Sequence, residues 1–180
     1  MSYRTIVADP PWRYGSQRGA VARGHARKHY DTMPLEAIKG LPVESMADDN
    51  AHLYLWVTNP ILFDAFPILA AWGFEYRTLL TWRKLGTLGM GYYFRGDTEH
   101  VIFAVRGKAP IAPHLRARNW FAAPKTGHSR KPDLFYEMVE RVSPEPRLEL
   151  FARRRRYGWD VWGNEAPTEQ ASQAEMGLAS

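Results

Sequence analysis

Tyr3-Arg4-Thr5-Ile6-Val7-Ala8-Asp9-Pro10-Pro11-Trp12 reads as a strand that runs straight into a rigid loop. The β-branched and apolar residues up to Ala8 favour extended structure, and a Pro-Pro pair cannot continue a sheet ladder. Neither proline has a backbone N–H, and both hold φ near −65°. The loop is therefore expected to present carbonyl oxygens outward, with few donors of its own to satisfy them. Asp9 adds a carboxylate at the C-terminal end of the strand, where open α/β sheets place their ligands. Trp12 adds a flat apolar face suited to stacking on a ring.

Such a pocket fits a planar group carrying an exocyclic amine, and adenine N6 is one. Its nitrogen lone pair is delocalised into the ring, which makes it a poor nucleophile. If Asp9 and the Pro10 carbonyl accept the two N6 hydrogens, the charge that develops as the nitrogen turns towards an electrophile is stabilised. A DPP turn beside a core tryptophan is also an ordinary structural element, so the rest of the chain has to decide.

A length of 180 residues fits one domain, and 45% hydrophobic with 24% charged residues is the composition of a globular protein. Mean hydropathy is −0.43 and the pI about 9.6. The formal charge of +5 favours an acidic partner such as nucleic acid. The absence of cysteine excludes disulfides, a thiol nucleophile and thiolate metal sites. No stretch has membrane-spanning length and no signal peptide is recognisable, so a cytoplasmic protein with no membrane association is expected.

Beyond Trp12 the segment Arg13 to Tyr30 is polar, glycine-bearing and basic, and reads as a long loop beside the site: a lid, a nucleic-acid clamp or a solvated loop. His25 and His29 lie four apart without the glutamate of a zincin helix, so no metal site is expected. A short helix is predicted from Thr32 as cap to about Lys39, then a buried strand over His52 to Val57. A helix from Thr58 to about Trp72, ended by Gly73, and a strand from Glu75 to Trp82 follow. This strand–helix–strand order points to a parallel α/β sheet. Lys84 to Gly96 reads as a glycine-rich loop, Glu99 to Arg106 as a strand, and Gly107 to Thr126 as irregular and basic. A helix from Asp133 to Val142, with Pro132 at its first position and Leu134, Phe135, Met138 and Val142 on one face, carries Arg130 and Lys131 at its start. That is a candidate anion site. Arg147 to Phe151 and Trp159 to Trp162 read as the last strands.

Taken in order, Asp9-Pro10-Pro11-Trp12, Leu55-Trp56-Val57-Thr58, Trp82, Ser129-Arg130-Lys131-Pro132-Asp133, Glu149-Leu150-Phe151-Ala152-Arg153 and Trp162-Gly163-Asn164 form a series that resembles the MT-A70 family of S-adenosylmethionine-dependent adenine N6-methyltransferases. The resemblance covers residues 3 to 165. It implies a Rossmann-like methyltransferase fold in permuted order, with a mostly parallel sheet flanked by helices over residues 1–165. The remaining segment, 166–180, is expected to be a disordered tail.

By the same resemblance the catalytic residues would be Asp9, Pro10, Pro11 and Trp12. Lys131, Glu149, Phe151, Arg153 and Asn164 would bind S-adenosylmethionine, with Asp9 also bordering that cofactor. Lys131 would neutralise the methionine carboxylate, and Glu149 would hold the ribose hydroxyls. Tyr30, Trp56 and Trp82 match positions on the substrate side. Longer members carry an upstream segment that touches the cofactor adenine; only eight residues precede Asp9 here, so those contacts are expected to come from elsewhere or to be absent. The run Arg153 to Arg156 reads either as a phosphate contact or as a solvated loop.

The resulting expectation is methylation of adenine N6 in nucleic acid, DNA favoured over RNA, by direct in-line displacement. The competing expectation is a catalytically silent nucleic-acid-binding or partner subunit on the same fold. A homodimer or a partner subunit is compatible with both.

Overall fold

The structure, a computed structural model, describes residues 1–13, 32–89, 93–125 and 130–162. Of the loop expected from Arg13 to Tyr30, everything beyond Arg13, Tyr30 included, lies outside them, as do Ser129, Asn164 and the tail 166–180.

Seven strands form one sheet: β1 (Tyr3–Ala8), β2 (Ala47–Val57), β3 (Glu75–Leu85), β4 (Thr98–Arg106), β5 (Trp120–Pro124), β6 (Arg147–Leu150) and β7 (Asp160–Trp162), in the order β5-β3-β4-β2-β1-β6-β7. Every pairing is parallel except those of β4, which runs antiparallel to both β2 and β3. The sheet is thus mostly parallel, as expected for a Rossmann-like methyltransferase fold. The chain begins in its middle: β1 is held between β2 and the late strand β6. The strand bearing the Asp9 loop therefore precedes its C-terminal neighbour in sequence, which is the permuted order.

β1 alternates its side chains between two cores. Ile6 and Ala8 pack with Leu53, Leu55, Ile38, Ile68 and Trp72, under α1 (Leu35–Lys39), α2 (Val43–Met46) and α3 (Phe66–Ala71). Val7 faces the other way, with Tyr54, Trp56, Trp82, Phe103 and Phe135, under α4 (Asp133–Val142). Residues 51–57 of β2 are buried on both faces, which explains its unbroken apolar run.

The predicted elements differ from the observed ones where proline chemistry intervenes. The single helix expected from Thr58 to Trp72 is a 3₁₀ turn (Asn59–Ile61) followed by α3. Pro67 has no N–H to give the carbonyl of Phe63, so the ladder breaks and restarts with proline in its first turn. Thr32 does not cap α1; Pro34 occupies that position without a side-chain hydrogen bond. Pro132 likewise precedes α4 rather than opening it. The buried side of α4 is Phe135, Tyr136 and Val139, whereas Leu134 is 44% exposed. Within the stretch expected to be irregular, Gly107 to Thr126, residues Trp120–Pro124 form β5.

At the end of the sheet remote from the Asp9 loop, His52 is buried within a polar cluster. Its Nε2–H donates to the Ala109 carbonyl at 2.6 Å, its Nδ1 accepts from the Ser143 hydroxyl at 2.8 Å, and Tyr54 donates to Ser143 at 2.8 Å. Burial pushes the His52 pKa below its ordinary value of 6.5, against the opposing pull of the Ala109 bond. The neutral form is the folded one, so the unfolded chain binds more protons just below pH 6.5. The stabilisation is full above that pH and is lost as pH falls through it. Thermal unfolding followed against pH should therefore show Tm declining on the acid side, with a shallower decline in His52→Gln.

Candidate active site

A cavity of about 320 Å³ opens at the C-terminal edge of the parallel strands. The sheet delivers its walls from several directions. Asp9 to Trp12 follow β1, Val57 and Thr58 end β2, Lys84 comes from the end of β3, Lys125 follows β5, and Arg153 lies beyond β6. Because β4 runs the other way, its first residues reach the same edge, and Glu99 enters the cavity directly opposite Trp82.

Charge is organised around Lys131. Its ammonium lies 3.1 Å from Asp9 Oδ1, bonds Glu99 Oε1 and sits 4.6 Å above the ring of Trp56. Glu99 also pairs with Lys84 at 2.9 Å. The four side chains make a continuous string, and Lys131 is only 9% exposed within it. Burial opposes all of its charges, with different outcomes. For Asp9, burial and the repulsion of Glu99 outweigh Lys131, so its pKa is raised. For Glu99, burial is outweighed by Lys131 and Lys84, so its pKa is lowered. Lys131, facing two carboxylates, is raised despite its burial. Among the described residues, five basic and two acidic ones line the cavity, an excess of positive charge.

The proline loop is more tightly tied than its sequence implies. The Trp12 N–H donates to the Pro10 carbonyl at 2.8 Å, and the Met33 N–H to the Pro11 carbonyl at 2.8 Å. A carbonyl has two lone pairs, so among the described residues Pro10 keeps one for a ligand. Trp12 forms a bridge with Met33, and Thr32 lines the cavity. Trp12 is 8% exposed, with its Nε1–H on the Trp56 carbonyl at 3.0 Å.

Of the other sequence-predicted residues, Trp56, Trp82 and Arg153 line the cavity. Trp56 is fully buried, and its Nε1 has no hydrogen-bond partner among the described residues. Trp82 donates to the Ala123 carbonyl at 3.0 Å and lies beneath the Lys84 ammonium. Glu149 and Phe151 lie outside the lining. Glu149 is the third residue of β6; it is 7% exposed and accepts the Tyr136 hydroxyl at 2.6 Å. Burial raises its pKa, with the nearby Asp9 charge adding to the effect. Phe151 turns the chain at the end of β6 with φ of 64°. In the arginine run, Arg154 and Arg156 both bond Asp133 at the start of α4 and stack on Tyr136. Those two arginines are structural clamps rather than free phosphate contacts. Tyr30 and Asn164 lie outside the described residues.

Sequence reasoning missed Glu99, Lys84, Lys125 and Thr58. Only the antiparallel register that sets Glu99 against Trp82 brings the first two together, and no local motif announces it.

The charged string and the cradle suit a zwitterionic cofactor beside a polar acceptor. Asp9 matches an ammonium, Lys131 and Arg153 match a carboxylate, and tryptophan faces supply apolar walls. The family model described as MT-A70 matches residues 3–165. The Type II methyltransferase M.MunI of a Mycoplasma species is 31% identical over 92% of this chain and 78% of its own length. The N(6)-adenine-specific methyltransferase METTL4 of Mus musculus is 28% identical over 91% of this chain, which spans 37% of it. The human N(6)-adenosine-methyltransferase catalytic subunit METTL3 is 27% identical over 91% of this chain, which spans 28% of it.

Proposed function

The chain belongs to the MT-A70 family of S-adenosylmethionine-dependent adenine N6-methyltransferases, and on that premise we propose that Asp9 and the Pro10 carbonyl hold adenine N6 of a nucleic acid for direct, in-line methyl transfer. The observation that carries this reading is the cavity itself, where the Asp9 carboxylate and a half-used Pro10 carbonyl stand together among tryptophan rings. S-adenosylmethionine, when bound, supplies an electrophilic methyl group on a sulfonium, so no metal is needed to activate it.

The chain's own residues do the rest. Asp9 and Pro10 accept the N6 hydrogens, which fixes the nitrogen and stabilises the positive charge that grows on it. Pro11 keeps the loop rigid, while Trp12, Trp56 and Trp82 form apolar walls that exclude water. Lys131 and Arg153 would meet the cofactor carboxylate, and Glu149 is assigned to the cofactor side behind Tyr136. Tyr30 and Asn164 are assigned to the substrate and cofactor sides respectively. A base in a duplex must be flipped out to reach the cavity, at a cost of a few kcal/mol, while a single strand avoids most of it. We favour DNA over RNA, because M.MunI, of which this chain spans the larger share, is a type II methyltransferase rather than a protein named for adenosine.

Transfer from labelled S-adenosylmethionine to single- and double-stranded DNA and RNA tests this reading. Product with DNA exceeding product with RNA is expected; transfer to RNA alone would overturn the preference, and transfer to none would overturn the activity. The pH profile offers a second test. The raised pKa of Asp9, caused first by its burial, predicts that kcat/KM of the free enzyme falls as pH drops, beginning above the ordinary carboxylate value of 3.8. Protonated Asp9 would donate a hydrogen bond where an acceptor is needed. An acid limb no higher than that of an ordinary carboxylate would contradict the assignment.

A further inference from the structure

The segment leading into β5 carries a charge pattern that, Lys125 apart, the cavity does not use. From Gly107 to Lys125 there are four Lys and Arg residues and no Asp or Glu. Lys108, Arg116, Arg118 and Lys125 are all exposed. Among the described residues β5 is an outer strand of the sheet, paired with β3. Asn119 fastens its start: the Thr81 N–H donates to the Asn119 carbonyl at 2.9 Å, and Asn119 Nδ2 donates to the Leu79 carbonyl at 3.3 Å. Arg118 and Trp120 are thereby held on either side of a pinned residue. Trp120 is 51% exposed, with the Arg118 guanidinium 5.8 Å from its ring centre, while Phe121 and Ala123 alternate into the core.

At the rise of a β-strand, Trp120 stands roughly 16 Å from Lys125, and Lys125 lines the cavity. A basic edge with a large exposed aromatic ring therefore leads up to the mouth of the site.

We propose that this edge is a track for the single-stranded nucleic acid that flanks the target base, with a base stacked on Trp120 and phosphates met by Arg116, Arg118 and Lys125. The proposal rests on the nucleic-acid reading above and extends it beyond the cavity. Charge decides the occupant. A second copy pairing antiparallel along β5 would bring the arginines before the strand towards the Lys125 end of its partner, like charge against like, and Pro124 has no N–H to give a ladder. A polyanion meets no such repulsion, and stacking on a tryptophan requires unpaired bases.

The test compares wild type with the surface variant Trp120→Ala/Arg118→Gln on single-stranded DNA carrying one adenine. Oligonucleotides of about five and about fifteen nucleotides span a single site and the track. Binding is read by fluorescence anisotropy, transfer by product formed, and assembly by light scattering. Wild type should bind the longer strand more tightly. The variant should lose about tenfold of that affinity, as expected for one stacked base, and its salt slope should fall by about 0.7 for each phosphate that is no longer neutralised. Transfer to the short strand should be unchanged. A variant that binds the long strand like wild type would overturn the track, as would one whose only change is in oligomeric mass, which would mark a protein-docking edge. Anisotropy needs no turnover, so binding without product would count against the proposed activity and leave the track standing.

Discussion

Replacement of Asp9 by alanine is expected to lower kcat by about 10²-fold or more, with the fold and its thermal stability largely kept. The reason lies in where the charge goes. On the proposed reading Asp9 is the acceptor for the N6 hydrogens, and the stretch Asp9 to Trp12 holds no other carboxylate. Stability is spared because Lys131 retains Glu99 as a partner when Asp9 is removed. Asp9 is also a group that burial already opposes in its charged form, so its loss removes an unfavourable solvation term. Steady-state kinetics with a melting curve on the same preparation checks both halves. An Asp9→Ala protein with near-normal turnover would refute the role assigned to it.

Lys131→Met should do something different: damage the fold as well as the reaction. Lys131 is the cation common to Asp9 and Glu99, both mostly buried. Its removal leaves two carboxylates facing one another, Glu99 keeping its pair with Lys84 and Asp9 keeping the nearby charge of Arg153. Breaking a buried pair by deleting one partner typically costs about 3–5 kcal/mol. For a chain of this size that corresponds to a fall in Tm of roughly 10 °C. The double variant Lys131→Met/Glu99→Gln removes one of the stranded charges and should recover much of the stability. Activity should stay low in both, because the cation assigned to the cofactor carboxylate is gone. If the double variant melts no higher than the single one, the charged string is not what holds this corner together.

The sequence carried some of this architecture openly. β1 and its loop were legible because β-branched residues stop at two prolines, and β2 because residues buried on both faces leave an unbroken apolar run. The two neighbours of β1 were not legible, since parallel pairing with β6 joins residues far apart in the chain. β5 escaped notice because Trp-Phe-Ala-Ala-Pro has two small residues and a proline, and becomes a strand only by pairing with β3. In the site, Asp9 and Lys131 were identified by motif, but their salt bridge was not, and Glu99 was invisible without the antiparallel register of β4. The arginine run, read either as a phosphate contact or as a solvated loop, shows packing adding a partner that neither reading contained. Four consecutive arginines invite a phosphate, yet Asp133 claims two of them, a pairing set by tertiary packing.

One atom decides the chemistry of this site, the nitrogen that receives the methyl group. Nucleic acid methylated by the enzyme, digested to nucleosides and resolved by mass spectrometry against standards, reads that atom directly. N6-methyladenine is the expected product, absent when Asp9→Ala replaces the wild type. Methyl found on cytosine N4 or on a ring nitrogen of adenine would contradict the assignment of Asp9 and Pro10 to adenine N6.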